Sequence, residues 1–488
     1  MKQLEADVAV VGYGGAGVVS AITAYDSGAS VLILEKAPQG GGCTKISDTN
    51  FICPADAEGA YSYWYATIGP ATSKEICRAT AEETCQNVAW LKEMGIKCGK
   101  PFNHTEFPDM PGHSSMTSYR PIGSSAKSPP TKGAHGGILF DTLDEHRRNR
   151  GIEVLYNTPA TELIQDPRTK EIRGVLAESQ GHTISVKAKK AVILCTGDFS
   201  YNQDMIKNYL RPYPMKFCGW KYRTGDGIVL ALKVGAKLWH MNQICGHFCI
   251  DIPEYDSGYA CFGGHPPSWI FVDKYGKRFA NEDNRMSHNF WTYFAPMDWD
   301  NLGFTRVPSY MIFDETRRAS GAIAASFTSW LPVELGGNVS WSSDNLAEIE
   351  KGWIRKGNTI EELAAAIGGH MNPTTLKQTI DTWNAGCKAG VDAEFGRSAS
   401  TSSPLVTPPF YAVTLKPGQS NTLGGPERNE RCQVLDHENN PIPRLYEAGD
   451  LGGIFGHAYG AFGGNIGALV MAHGRIAGRN AAALEPWE

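Results

Sequence analysis

Asp7-Val8-Ala9-Val10-Val11-Gly12-Tyr13-Gly14-Gly15-Ala16-Gly17 is the stretch whose reading decides the fold. Its first five residues form an apolar run ahead of glycine, the pattern of a strand buried in a parallel sheet. Residues 18–27 then predict a helix and residues 30–34 (Ser-Val-Leu-Ile-Leu) a second strand, so the chain opens on a βαβ unit. Between strand and helix stands Gly-x-Gly-x-x-Gly at 12, 14 and 17. The three glycines serve different ends. Gly12 permits the tight turn, Gly14 lets a pyrophosphate approach the backbone, and Gly17 lets helix and strand pack closely. Gly15 and Ala16 lie at the helix N-terminus, where free N–H groups and the positive dipole end favour phosphate.

Glu35 ends the second strand, and its carboxylate can accept hydrogen bonds from both ribose hydroxyls while repelling a 2′-phosphate. FAD or NAD is therefore favoured over NADP. FAD is preferred because further ligand-type segments are spread over the whole chain. A second glycine-rich loop, Gly40-Gly41-Gly42-Cys43-Thr44-Lys45, follows Glu35 and Lys36 closely. Thr196-Gly197 ends a strand predicted at 191–194, Ala448-Gly449-Asp450 ends one predicted at 444–449, and Gly463-Gly464-Asn465-Ile466 offers more backbone donors. Ala160 and Asp226 complete the expected cofactor contacts.

With 488 residues the chain is too long for one core, and two domains are expected. Residues 238–405 read as an insertion, rich first in aromatics and then in helical segments at 345–355 and 359–367; residues 1–237 and 406–488 form the cofactor domain. Trp269, Phe271, Phe290, Trp291, Tyr293, Phe294 and Trp299 cluster in the insertion and read mostly as its core, with some able to line an apolar pocket. Residues 101–137, with six prolines, read as a long loop. The net charge of −5 and the lack of a basic block argue against nucleic-acid binding. The twelve cysteines show no disulfide or metal-like spacing, so free thiols in the cytoplasm and no metal site are expected. The apolar stretch 466–484 carries His473, Arg475 and Arg479, which marks a core helix rather than a membrane span.

These motifs, in this order, resemble the flavoprotein family of soluble fumarate reductases, urocanate reductases and 3-ketosteroid dehydrogenases, over essentially the whole chain. Gly41-Gly42-Cys43-Thr44-Lys45 is similar to the family's Gly-Gly-Asn-Thr-Lys loop, Thr224-Gly225-Asp226-Gly227 to its Thr-Gly-Asp-Gly turn, Arg278-Phe279-Ala280-Asn281-Glu282 to Arg-Phe-x-Asn-Glu, and Asn421-Thr422-Leu423-Gly424-Gly425 to His-Thr-x-Gly-Gly. The resemblance implies an α/β fold, a Rossmann-like FAD domain of the two-dinucleotide-binding flavoprotein type with an inserted α+β capping domain. Covalent members attach FAD through a histidine in the loop that here carries Cys43, so noncovalent FAD is expected.

The resemblance also bears on the substrate. The family arginine that forks onto a dicarboxylate is replaced by Ala461, and the histidine of His-Thr-x-Gly-Gly by Asn421. Without that bidentate contact a dicarboxylate is disfavoured. Gly456-His457-Ala458-Tyr459 and Gly463-Gly464-Asn465-Ile466-Gly467 resemble the ketosteroid dehydrogenase pattern. That match implies that Tyr459 and the Gly463 N–H hold a substrate oxygen. The family's proton-transfer position is Met286 here, which leaves Arg285 and His288 as candidates. The expected activity is hydride transfer, as a reductase, on a neutral cyclic oxygenated substrate such as a 3-ketosteroid or an isoflavonoid like tetrahydrodaidzein. Alternatives are a fumarate- or urocanate-type ene-reductase using Arg120 or Arg223, a 3-ketosteroid dehydrogenase, and a flavin-binding protein without catalysis. An external electron donor or acceptor, NADH or a flavin or redox protein, is implied as partner.

Overall fold

A computed structural model describes residues 2–103, 105–123, 136–217, 219–255, 257–261, 263–283, 288–324, 341–460 and 463–487. The chain forms two compact units: Met1–Met205, Trp220–Ile244 and Asn421–Glu488 make the first, Ile206–Gly219 and Cys245–Ser420 the second.

The first unit is organised by a sheet of β1 (Lys2–Val11), β2 (Val31–Leu34), β3 (Glu153–Leu155), β4 (Ala160–Gln165), β5 (Ile172–Ser179), β6 (His182–Leu194), β7 (Gln433–Leu435) and β8 (Pro441–Glu447). The order β7-β8-β6-β1-β2-β3 has a parallel core running from β8 to β3, with β7 antiparallel at one edge. β5 turns back on the first half of β6 and pairs with β4. Val8, Val10 and Ile33 are fully buried, each burial contributing roughly 1.5–3 kcal/mol. Helix α1 (Gly15–Asp26) packs on this sheet, and the C-terminal segment, a π-type turn at Asn465–Ala472 followed by helix His473–Ala482, packs on α1. The expected core helix at 466–484 is thus found, irregular in its first half.

The register of this sheet fixes the site. Val11 lies opposite Leu34 and Leu194, and Leu194 opposite Glu447, so four parallel strands end level. The ladder continues one residue further, with Gly12 N–H on Leu34 O (2.7 Å), Cys195 N–H on Val11 O (2.7 Å) and Ala448 N–H on Leu194 O (3.0 Å). Ligands bind at such carboxyl ends in open α/β sheets.

The second unit is built on a sheet in the order Gly258–Ala260, Ile244–Asp251, Phe410–Thr422, Ser309–Asp314, Trp269–Val272. Side-chain alternation gives it two faces. Trp269 and Phe271 point into an aromatic core centred on Phe248, whose ring lies 4.5 Å from Phe271, 5.2 Å from Phe290 and 4.9 Å from Phe294. Ile270 and Val272 pack instead against helices Ile360–Ile367 and Pro373–Ala389, which Thr359 and Asn372 cap. Residues 206–219 join this unit because Lys216 and Phe217 pair with Gly418 and Gln419 and Lys216 meets Asp251 at 2.8 Å. The unit's long segment starts at Cys245 and runs to Ser420, against the 238 and 405 read from composition.

Two expectations are corrected. The helix expected over 345–355 stops at Glu350; Gly352 turns at φ 74°, and Ile354–Gly357 becomes a strand on Phe410–Val413. Trp299 does not join the aromatic core: it is 76% exposed, just past the two-residue strand Met297–Asp298. Every described cysteine is a free thiol. No helix among the described residues is long and apolar enough to cross a membrane, and no described group of three or more His, Cys, Asp or Glu could hold a metal.

Candidate cofactor and substrate site

The level strand ends of the first unit border a cleft of about 840 Å³ of empty space, part of it open to solvent. Gly12, Gly14, Gly15 and Ala16 line it from the first strand end, Glu35 and Lys36 from the second, and Gly42, Cys43 and Thr44 from the short helix Gly42–Ile46. Ala160, Thr196, Gly197, Asp226 and Asp450 complete the wall. Fourteen of the residues expected from sequence therefore share one cavity.

Gly17 and Gly41 build the cavity without lining it. A Cβ on Gly17 would lie 2.0 Å from Gly12 O, so only glycine lets the helix approach the strand. Gly41, at φ 120°, donates its N–H to Tyr13 O at 2.8 Å and bridges to Gly14, joining the two glycine loops. Gly12 has φ 102°, and a Cβ there would lie 2.3 Å from Cys195 O. At Gly14 a Cβ would meet only Gly41 O at 3.9 Å, so this glycine faces open space. The helix behind it has no side-chain N-cap. Its first N–H groups have no intrahelical acceptor and suit a phosphate.

The Glu35 carboxylate accepts the Tyr13 and Ala37 N–H groups, both at 2.7 Å. Burial pushes its carboxyl up, and the two N–H groups pull it back. Each oxygen keeps acceptor capacity for a ribose hydroxyl. Lys36 is tied to Asp226 at 2.7 Å and to Thr224 Oγ1 at 2.5 Å. Cys43 Sγ accepts the Trp220 N–H at 3.3 Å, and burial pushes its thiol up to about 11, so it stays protonated.

Another part of the wall is a side-chain network that the motifs do not announce. Asp198 is buried, pairs with Arg223 at 3.0 Å and accepts the Thr422 N–H at 2.6 Å. Asp450 accepts the amides of Asn421 and Asn465. Burial and the neighbouring Asp198 push the Asp450 carboxyl up to about 6, against the pull of Arg223 and the amides. The buried Asn465 Oδ1 has no partner among the described residues. A cavity with glycine-lined phosphate donors, and a carboxyl bonded to the Asn465 amide whose oxygen is unpartnered, fits a cofactor that carries both a pyrophosphate and a polyhydroxylated chain.

Tyr459 and Gly463 belong to the same unit. Tyr459 is 3% exposed, and its hydroxyl accepts the Asn465 N–H at 3.3 Å. Gly463, at φ 82°, leaves no room for a Cβ, which would lie 2.7 Å from Asn50 O. Ile466 is buried in the core of the unit. His288 lies in the second unit, buried, with its ring 4.7 Å from that of His247. Burial, then the neighbouring His288, hold His247 well below the usual histidine range. Arg285, Met286 and Ala461 lie outside the described residues.

Sequence comparison agrees with this geometry. The model of the FAD binding domain family matches residues 7–466. An NADH:fumarate oxidoreductase of Klebsiella pneumoniae (strain 342) is 29% identical over 98% of this chain, which spans 47% of that protein. A vinyl phenol reductase of Lactiplantibacillus plantarum (strain ATCC BAA-793 / NCIMB 8826 / WCFS1) is 27% identical over 98% of this chain and 96% of its own length. The crystal structure of a 3-ketosteroid Δ1-dehydrogenase from Sterolibacterium denitrificans, in complex with 1,4-androstadiene-3,17-dione, superposes with a TM-score of 0.83 at 22% identity, covering 98% of this chain and 99% of that one. That likeness is one of fold. The chain belongs to the FAD binding domain family, and FAD is its cofactor.

Proposed function

We propose that the protein is an FAD-dependent oxidoreductase working as a reductase on a neutral cyclic substrate with an oxygen function, such as a 3-ketosteroid or an isoflavonoid of the tetrahydrodaidzein kind. FAD, held noncovalently by the two glycine loops, Glu35 and the Asp450 wall, supplies hydride chemistry at its N5 when reduced. The observation that carries the reading is the hydroxyl of Tyr459 lying against the Asn465 N–H at 3.3 Å. Together with the Gly463 N–H that hydroxyl would hold a substrate oxygen and stabilise negative charge developing there. The proton comes from Arg285 or His288. Arginine holds its proton too tightly to give it up except within a relay, so His288 is the easier acid. The second unit, with its long segment Cys245–Ser420, acts as the capping domain, and electrons come from an external donor, NADH or a redox protein.

The vinyl phenol reductase relative, similar over nearly its whole length, supports a neutral phenolic ring. The fumarate-named relative favours a second reading, a carboxylate ene-reductase. That chemistry needs a cation to fork onto a carboxylate. Arg223 is engaged by Asp198, and Arg120 is held by Asn50 at 2.5 Å and Asp48 at 3.1 Å.

The test is anaerobic reduction of the flavin, followed by addition of enones, 3-ketosteroids, isoflavonoids, fumarate and urocanate. Reoxidation by neutral ring compounds is expected. Reoxidation by fumarate or urocanate alone would move the assignment to the second reading. Reoxidation by none would leave a flavin-binding protein without this catalysis.

A further inference from the structure

Tyr13 occupies the first variable position of Gly12-x-Gly14, where the glycine motif itself asks for no particular side chain. It is fully buried and joins four segments. Its N–H donates to the Glu35 carboxylate at 2.7 Å, and its carbonyl accepts the Gly41 N–H at 2.8 Å. Its hydroxyl donates to Asp144 and accepts from Arg147 Nε at 3.0 Å. Asp144 and Arg147 themselves pair at 2.7 Å on the helix Gly136–Asn149. The ring stands edge-on to Phe140 at 5.3 Å and fills the space beside Gly40, where a Cβ would lie 2.3 Å from it.

Any residue at position 13 would supply the two backbone contacts. Only the phenol supplies the anchor to an ion pair, and hydrogen bonds to charged groups are among the stronger ones. We infer that Tyr13 is a positioning residue for the adenosine half of FAD: it ties Glu35 and the second glycine loop to the helix Gly136–Asn149, so that both meet the cofactor in one fixed geometry. Preorganising two contact elements through one buried hub spares the cofactor the cost of ordering them. The inference rests on the FAD assignment and not on the substrate proposed above, so the two can fail separately.

The test uses apoprotein titrated calorimetrically with FAD, ADP and riboflavin, for Tyr13→Phe and for Asp144→Asn. ADP carries the adenosine and pyrophosphate half, and riboflavin the other half without either phosphate. In both variants FAD and ADP affinity should fall about tenfold, the effect of one charge-assisted contact, while riboflavin affinity changes less than about twofold. Unchanged FAD affinity in Tyr13→Phe would overturn the inference, as would an equal loss for riboflavin, which marks general destabilisation. If Tyr13→Phe does not fold, Asp144→Asn decides alone; failure of both to fold makes the hub structural and also overturns the inference.

Discussion

Two parts of the cleft wall are built on different principles. In the Gly12–Gly17 part, the chain offers backbone: a turn that only glycine can make, the N-terminus of α1, and a carboxylate whose own partners are N–H groups. In the Asp198–Asp450 part it offers side chains, with Asp198, Arg223, Asn421 and Asn465 arranged around a carboxyl near neutrality. A backbone-built part is disrupted mainly by steric intrusion. A side-chain-built part can be retuned by single substitutions and responds to pH.

Four changes put that contrast at risk. The largest effect is expected at Gly12→Val. Its φ of 102° and the 2.3 Å approach of a Cβ to Cys195 O leave no relaxed solution. FAD affinity should fall by more than about a hundredfold, read as loss of flavin absorbance after reconstitution; a yellow variant would show that the turn tolerates side chains. Tyr459→Phe should slow substrate reduction by about 10² to 10³, the usual cost of one oxyanion donor, with flavin affinity unchanged. Turnover equal to that of the unmodified protein would remove Tyr459 from the mechanism. Glu35→Gln should weaken FAD about tenfold, because one oxygen becomes an NH₂ facing the N–H of Tyr13 or Ala37; fluorescence titration measures it, and a loss at Asn421→Ala but not at Glu35→Gln would invert the contrast.

The smallest effect concerns pH. Asp450 titrates at about 6 in the fold against an ordinary value near 3.8. Between these values the folded protein holds a proton that the unfolded chain has released, so this carboxyl makes stability fall as pH rises from about 4 to about 6. Asp450→Asn should flatten that part of the slope in thermal melts of the apoprotein. An unchanged slope would place the titration elsewhere.

How much of this was legible in the sequence follows the same division. The β1–α1–β2 unit and Glu35 could be read because strand pattern, glycine spacing and strand end lie within 35 residues. The Asp198–Arg223–Asp450 network could not, because its members are brought together by strand register and no local pattern ties Arg223 to Asp198. Nothing in the glycine motif marks Tyr13, since its partner Asp144 lies 131 residues away. The false helix at 345–355 had polar, helix-forming residues, and the turn at Gly352 and the pull of a neighbouring strand overrode them. Trp299 was misread because aromatic density says nothing about which ring a turn carries outward.

The adjacency of β6 and β8 has a consequence for how the protein comes to life. Val192 pairs with Leu445, so strands far apart in the chain must meet to build the cleft wall. Both glycine loops precede the whole second unit in the chain, and β8 follows it. Contacts of such long sequence separation form late. The part of the wall that Asp450 belongs to is therefore complete only once Pro441–Glu447 lies beside β6.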